Sequence, residues 1–194
     1  MAEKSEFSPK HTAVMCMDYQ NAIVSAYGGS GVEELLTRSA RVLEQARKIG
    51  MLVIYVRVGF RPGLPEISPR NTLFSAVKNS PERQKMFLGA GREIHAAVAP
   101  QENEIIIEKH RVGAFTGTDL DMILRANEID TLVLFGIATS GVVLSTLVDA
   151  FDADYKIVVI KDCCADRDED LHSCLTEKYF TTRGTVITAE EFAN

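Results

Sequence analysis

Residues 131–146 read Thr131-Leu-Val-Leu-Phe-Gly136-Ile-Ala-Thr-Ser-Gly-Val-Val-Leu-Ser-Thr146. The first six form a short apolar run, the pattern of a strand buried on both faces. A turn of small residues follows. From Ser140 to Ala153 few polar residues fall on any face, which predicts a helix buried beneath its neighbours. The stretch is therefore one strand–turn–helix unit. Amides at such a helix start lack intrahelical partners, and with the dipole behind them they suit an oxyanion or a carboxylate. Small residues equally suit plain packing of helix on strand, and both readings stay open at this point.

Outward from this unit the same alternation recurs. Thr12 to Met17, Met51 to Val58, Glu104 to Lys109, Lys156 to Lys161 and Thr185 to Ile187 read as strands. Gly31 to Lys48, Thr118 to Ile129 and Asp168 to Thr181 read as helices. In the first helix Val32, Leu35, Leu36, Val42, Leu43, Ala46 and Ile49 recur at three- and four-residue spacing, with Ser30 as N-cap and Gly50 just past the end. Thr116 or Thr118 caps the second. Such alternation predicts an α/β fold, a parallel sheet covered by helices. The segment Gly59 to Pro81 holds four prolines and reads mainly as loop, long enough to cover a site. No repeat or linker divides residues 1–194, so one domain is expected, with the polar segment Met1 to Lys10 flexible.

Composition narrows the function. A net charge of −6 gives no general attraction for nucleic acid or an acidic membrane. No apolar stretch is long enough for a bilayer, and no signal-peptide core is present. Cys16, Cys163, Cys164 and Cys174 lack metal-finger spacing and read as free thiols of a cytoplasmic protein. The four histidines are scattered, none lies between Gly59 and Pro81, and no glycine-rich phosphate loop occurs, so neither metal nor cofactor is expected.

Ligands of such sheets bind outside the carboxyl ends of the strands. That rule selects Asp18 with Gln20, the loop from Val58, Lys109, Ala138 to Val142, and Asp162 to Asp166. Asp18 closes an apolar strand, where burial raises a carboxyl pKa toward general acid–base work; the alternative is a cap for the following turn. Lys109 either stabilises negative charge beside it or is a solvated edge lysine. Arg57, Arg61 and Arg70, set against Glu66 alone, mildly favour an anionic substrate.

These three stations, in this order, resemble the isochorismatase-like hydrolases, a superfamily that includes cysteine hydrolases. The resemblance runs from Thr12 to about Ile187 and is densest at Phe115-Thr-Gly-Thr-Asp-Leu, Gly136 to Thr146, Asp149-Ala150 and Asp162. It implies a three-layer α/β/α sandwich on a mostly parallel six-stranded sheet. It also implies catalytic roles for Asp18 and Lys109, and a cis peptide between Ile137 and Ala138 that turns the Ala138 N–H toward a substrate carbonyl. The Val142 N–H would be the second oxyanion donor. Gln20, Phe115 and Ile137 are candidates for the substrate pocket.

The chain departs from the pattern at Val142, where amide-cleaving members carry the nucleophilic cysteine; a valine cannot form an acyl-enzyme. Isochorismatases also lack that thiol and protonate a vinyl ether through the aspartate. The resemblance therefore implies a hydrolase of a small molecule, cleaving a vinyl ether or an amide-type C–N bond. The alternative is a catalytically impaired relative that binds small molecules. Cys163 and Cys164 lie just past the fifth strand, and at most one can face the cleft; each is a compensating thiol or a small buried one. Cys16 and Cys174 read as core. The family's habit implies a homodimer or homotetramer.

Overall fold

Two strands are buried at every residue: β1 (Thr12–Met17) and β4 (Thr131–Gly136). Both are runs of apolar and small side chains, as strands covered on two faces must be. They lie side by side at the centre of the sheet, in register from Thr12 opposite Thr131 to Met17 opposite Gly136. The computed structural model describes residues 8–27 and 29–193. Beyond the central pair stand β2 (Leu52–Val58), β3 (Ile105–Lys109), β5 (Lys156–Ile160) and β6 (Thr185–Ile187). The order is β3–β2–β1–β4–β5–β6, and every neighbouring pair is parallel.

The chain thus builds one half outward from β1, then returns to the other side of β1 and builds the second half. The reversal falls between β1 and β4, and the crevice beyond their carboxyl ends is where such sheets bind ligands. Asp18 leaves β1 at that point, and Ile137 leaves β4 beside it. Gly136 is required there: a Cβ would stand 2.7 Å from the Met17 carbonyl oxygen and 2.9 Å from its Cβ.

Helices flank the sheet in the expected α/β/α arrangement. α1 spans Asn21–Tyr27 and α2 spans Val32–Lys48. α2 buries Leu35, Leu36, Ser39, Val42, Leu43 and Ala46, one helical face. Glu33 and Glu34 in its first turn and Arg47 and Lys48 in its last complement the helix dipole. Gly50, at φ +77°, ends it as the sequence predicts, whereas the N-cap is Gly31 rather than Ser30.

Several expectations are corrected. Gly59 to Pro81 is mainly loop as read, but it is not all loop: α3 (Thr72–Lys78) lies within it, and α4 (Pro81–Phe87) begins at its last residue. Asn71 and Ser80 cap these helices through side-chain oxygens that accept from Phe74 N–H and Arg83 N–H, and Pro81 occupies a first-turn position where proline is tolerated. α5 is shorter than expected, Leu120–Ala126, with Asp119 as N-cap. The helix expected from Ser140 starts as a distorted π-type turn, Thr139–Val143, kinked at Gly141 (φ −99°, ψ −105°), before α6 (Leu144–Asp152). It is buried on one face only, since Phe151 is 45% exposed under the Arg183 guanidinium.

The helix expected over 168–181 is α7 (Glu169–Cys174), then a π-type turn, Leu175–Tyr179, and a 3-10 turn, Phe180–Thr182. Cys174, on a helix that buries none of its residues, is exposed rather than core, while Cys16 is buried as read. A last helix, α8 (Ala189–Ala193), ends the described chain. Of the segment expected to be flexible, residues 1–7 lie outside the described residues, and Pro9–His11 form a 3-10 turn. No helix among the described residues is long and apolar enough to cross a membrane.

Candidate functional site

Asp18 sits at φ +59°, a left-handed conformation that costs a non-glycine residue of order 1 kcal/mol and gathers at functional positions. Its N–H donates to the Val56 carbonyl, so the chain leaves β1 while still tied to β2. Lys109 ends β3, two strands away and opposite Val58 in the β2–β3 register. It is no solvated edge charge. The side chain is 2% exposed, and its Nζ donates to Asp18 Oδ2 at 2.8 Å and to the Arg111 carbonyl at 3.1 Å.

Among the described residues, Asp18 Oδ1 is buried without a hydrogen-bond partner. Burial raises the Asp18 pKa, and the Lys109 charge and hydrogen bond counteract this only in part. The result is a carboxylate held by one oxygen, with the other unused.

A cavity of about 440 Å³ opens over this pair. Asp18 and Lys109 form its buried floor. The turn after β4 supplies Ile137, Ala138, Gly141 and Val142. α3 and α4 cover it with Leu73, Phe74, Val77, Met86 and Phe87, so the cover predicted for this segment is helical. Its remaining charged groups, Arg83 and Arg167, are exposed at the mouth. Arg167 stacks over the Tyr27 ring, 4.6 Å from its centroid. Among the described residues neither arginine has an acidic partner within ion-pair distance.

The Ile137–Ala138 peptide is cis, as the resemblance implies. Within the turn the Ala138 carbonyl accepts from the N–H groups of Gly141 (3.1 Å) and Val143 (3.3 Å). Among the described residues the Ala138 N–H meets no backbone acceptor.

Other residues singled out from the sequence lie elsewhere. Gln20 does not line the cavity: it is fully buried, and its amide bonds both backbone groups of Val58, Nε2 to the carbonyl (2.8 Å) and Oε1 from the N–H (2.7 Å). Gln20 braces the end of β2. Phe115 packs against Tyr155, centroids 6.1 Å apart, away from the cavity. Cys163 and Cys164 are both buried and neither lines the cavity. Burial pushes the Cys163 thiol up to about 12 and the Cys164 thiol higher, whose Sγ donates to the Ile160 carbonyl. Neither has the lowered pKa of a working nucleophile.

Two of the three loop arginines are likewise committed, and the third, Arg70, is exposed and does not line the cavity. Arg57 pairs with Glu108 at 3.1 Å and Arg61 with Glu66 at 2.6 Å. The positive charge available to a ligand comes from Arg83 and Arg167, which no local pattern marks. Among the described residues, no cluster of three His, Cys, Asp or Glu could hold a metal ion.

A doubly built parallel sheet, with a carboxylate–ammonium pair and a helix-start turn meeting at its reversal point, defines the scaffold of an α/β enzyme. Residues 12–191 match the isochorismatase domain, and the chain belongs to the isochorismatase family, a family of hydrolases. It is 33% identical to a ureidoacrylate amidohydrolase of Agrobacterium fabrum strain C58, over 98% of this chain and 92% of that protein. It is 30% identical to a maleamate amidohydrolase of Pseudomonas putida KT2440, over 83% of this chain and 74% of that one. The structure of an isochorismatase family protein from Burkholderia thailandensis matches with a TM-score of 0.83 and 27% identity, covering 94% of this chain and 93% of the other.

Proposed function

We propose that this protein hydrolyses an amide-type C–N bond of a small anionic molecule by direct attack of water, with Asp18 as the proton carrier. The observation that carries this reading is the Lys109–Asp18 pair on the cavity floor, with Asp18 Oδ1 unused. Water bound at Oδ1 gives its proton to Asp18 as its oxygen bonds to the substrate carbonyl carbon. The carbonyl oxygen takes up the negative charge and is held by the N–H groups of Ala138 and Val142. As the C–N bond breaks, Asp18 returns the proton to the leaving nitrogen. Lys109 keeps the carboxylate oriented and stabilises it while ionised.

Val142 stands where a thiol would be needed for an acyl-enzyme, and it is 2% exposed with no nucleophilic atom. The water route needs none. Arg83 and Arg167 give the mouth an uncompensated positive charge, which suits a carboxylate-bearing substrate. The two amidohydrolase relatives are named for such substrates, ureidoacrylate and maleamate.

A panel of small amide and ureido carboxylates, their uncharged analogues and a vinyl-ether carboxylate, assayed on wild type and Asp18→Asn, tests the reading. Turnover of a charged amide that Asp18→Asn abolishes supports it. Turnover of the vinyl ether alone replaces it with acid-catalysed ether cleavage. Inertness toward the whole panel, with the carboxylates still bound, leaves the binding relative as the better description.

A further inference from the structure

We infer that Asp166 and His172, neither of which touches the cavity, are positioning residues that hold the oxyanion turn from behind. The inference rests on the reading that the amides of Ala138 and Val142 receive the developing negative charge. The first amides of a helix have no intrahelical acceptor, so their directions are set by the turn that carries them. The turn Thr139–Val143 is π-type and kinked at Gly141, so its amide directions need outside support.

That support comes from one stretch, 165–172, just past β5. The Ala165 carbonyl accepts from the Thr139 N–H at 2.9 Å. Asp166 Oδ2 accepts from the Ser140 N–H at 2.7 Å. Its Oδ1 accepts from the N–H groups of Arg167 (2.8 Å) and Asp168 (3.5 Å), which locks the carboxylate to its own loop. On α7, His172 Nδ1 lies 2.8 Å from Thr139 Oγ1. Thr139 is fully buried and does not line the cavity, so this pair braces the turn and is not a nucleophile with its base.

Burial works against the Asp166 carboxylate, but the N–H groups of Ser140 and of its own loop hold its pKa below the usual range. The bond to Ser140 is therefore charge-assisted near neutral pH. The same loop carries Arg167 at the cavity mouth, so a single segment sets both the oxyanion amides and one of the charges that meets a substrate.

The experiment installs a reporter at the turn by Val142→Cys and measures alkylation of the introduced thiol by iodoacetamide at pH 7, followed by peptide mass spectrometry. Thiolate character there depends on the surrounding amides. Adding Asp166→Ala should slow alkylation by about threefold or more, adding Asp166→Asn, which keeps an acceptor oxygen, should restore it to within about twofold, and adding His172→Phe should slow it independently. On a substrate that wild type hydrolyses, Asp166→Ala should lower kcat by about tenfold or more and change KM by less than about twofold. Unchanged alkylation in folded Asp166→Ala and His172→Phe proteins, or a raised KM at constant kcat, overturns the inference. Failure of the hydrolytic reading shows separately, as activity that survives Asp18→Asn; the alkylation measurement needs no native substrate.

Discussion

Lys109 Nζ and Asp18 Oδ2 lie 2.8 Å apart in a buried site although 91 positions separate them in the chain. β2 stands between their strands, so the contact forms only when the lysine stem reaches past the end of β2 to the foot of β1. Taking two charges out of water is costly, and such a pair persists where its geometry is good and its remaining groups are bonded. Here the lysine also meets the Arg111 carbonyl, whereas one aspartate oxygen is left over. A pair built for stability alone has no use for that spare oxygen.

Lys109→Met should therefore leave a buried carboxyl without its partner. Stability should fall by about 3 kcal/mol, read from urea unfolding, and activity should fall with it. A variant as stable and as active as wild type would remove the lysine from the account.

The pH profile follows from the same site. Burial raises the Asp18 pKa above that of an ordinary aspartate. As general base it must be ionised, so kcat/KM should be full above that raised value and decline as pH falls through it. The acid limb should lie higher than an unperturbed carboxyl near pH 3.8 gives. A profile flat down to that value in a protein that stays folded would contradict a base role for Asp18.

Thiol chemistry should be silent. Cys16, Cys163 and Cys164 are buried and Cys174 is exposed. Ellman's reagent should therefore titrate a single thiol rapidly in the native protein and all four after denaturation. Cys164→Ser should keep activity within about threefold of wild type; loss comparable to that of Asp18→Asn would reinstate a catalytic thiol.

At the cavity mouth, Arg167→Gln and Arg83→Gln should each raise KM for a carboxylate substrate by about tenfold, the worth of one charge-assisted hydrogen bond, with little effect on an uncharged analogue. Equal effects on both substrates would mean that the arginines shape the cover rather than read charge.

Much of this site was legible in the sequence because its parts end uninterrupted apolar runs. β1 and β4 occur where those runs predict, residue for residue, and Asp18 and Lys109 mark strand ends. The cover itself was legible in this segment, but its helices were hidden for a local reason: prolines between Gly59 and Pro81 suggest loop, yet Pro81 follows the Ser80 cap in a position that starts a helix. Cys174 reads as core on the apolar face of a helix, but α7 buries none of its residues and burial begins only at Leu175. Arg83 and Arg167 left no pattern at all. Each reaches the mouth only because α4 and the loop after β5 fold back over the sheet edge, a property of the assembled molecule. Gln20 shows the converse: at a strand end it looked like a ligand group, but its amide is spent on the backbone of Val58.

The most direct measurement compares hydrolysis of a small amide carboxylate by wild type and by Asp18→Asn, with Val142 untouched in both. The account predicts turnover by wild type and a loss of about 100-fold or more in the variant, with intact-mass spectra during turnover showing no acyl adduct on the protein. Equal rates in the two proteins, or an adduct accumulating on any side chain, would contradict water attack governed by Asp18.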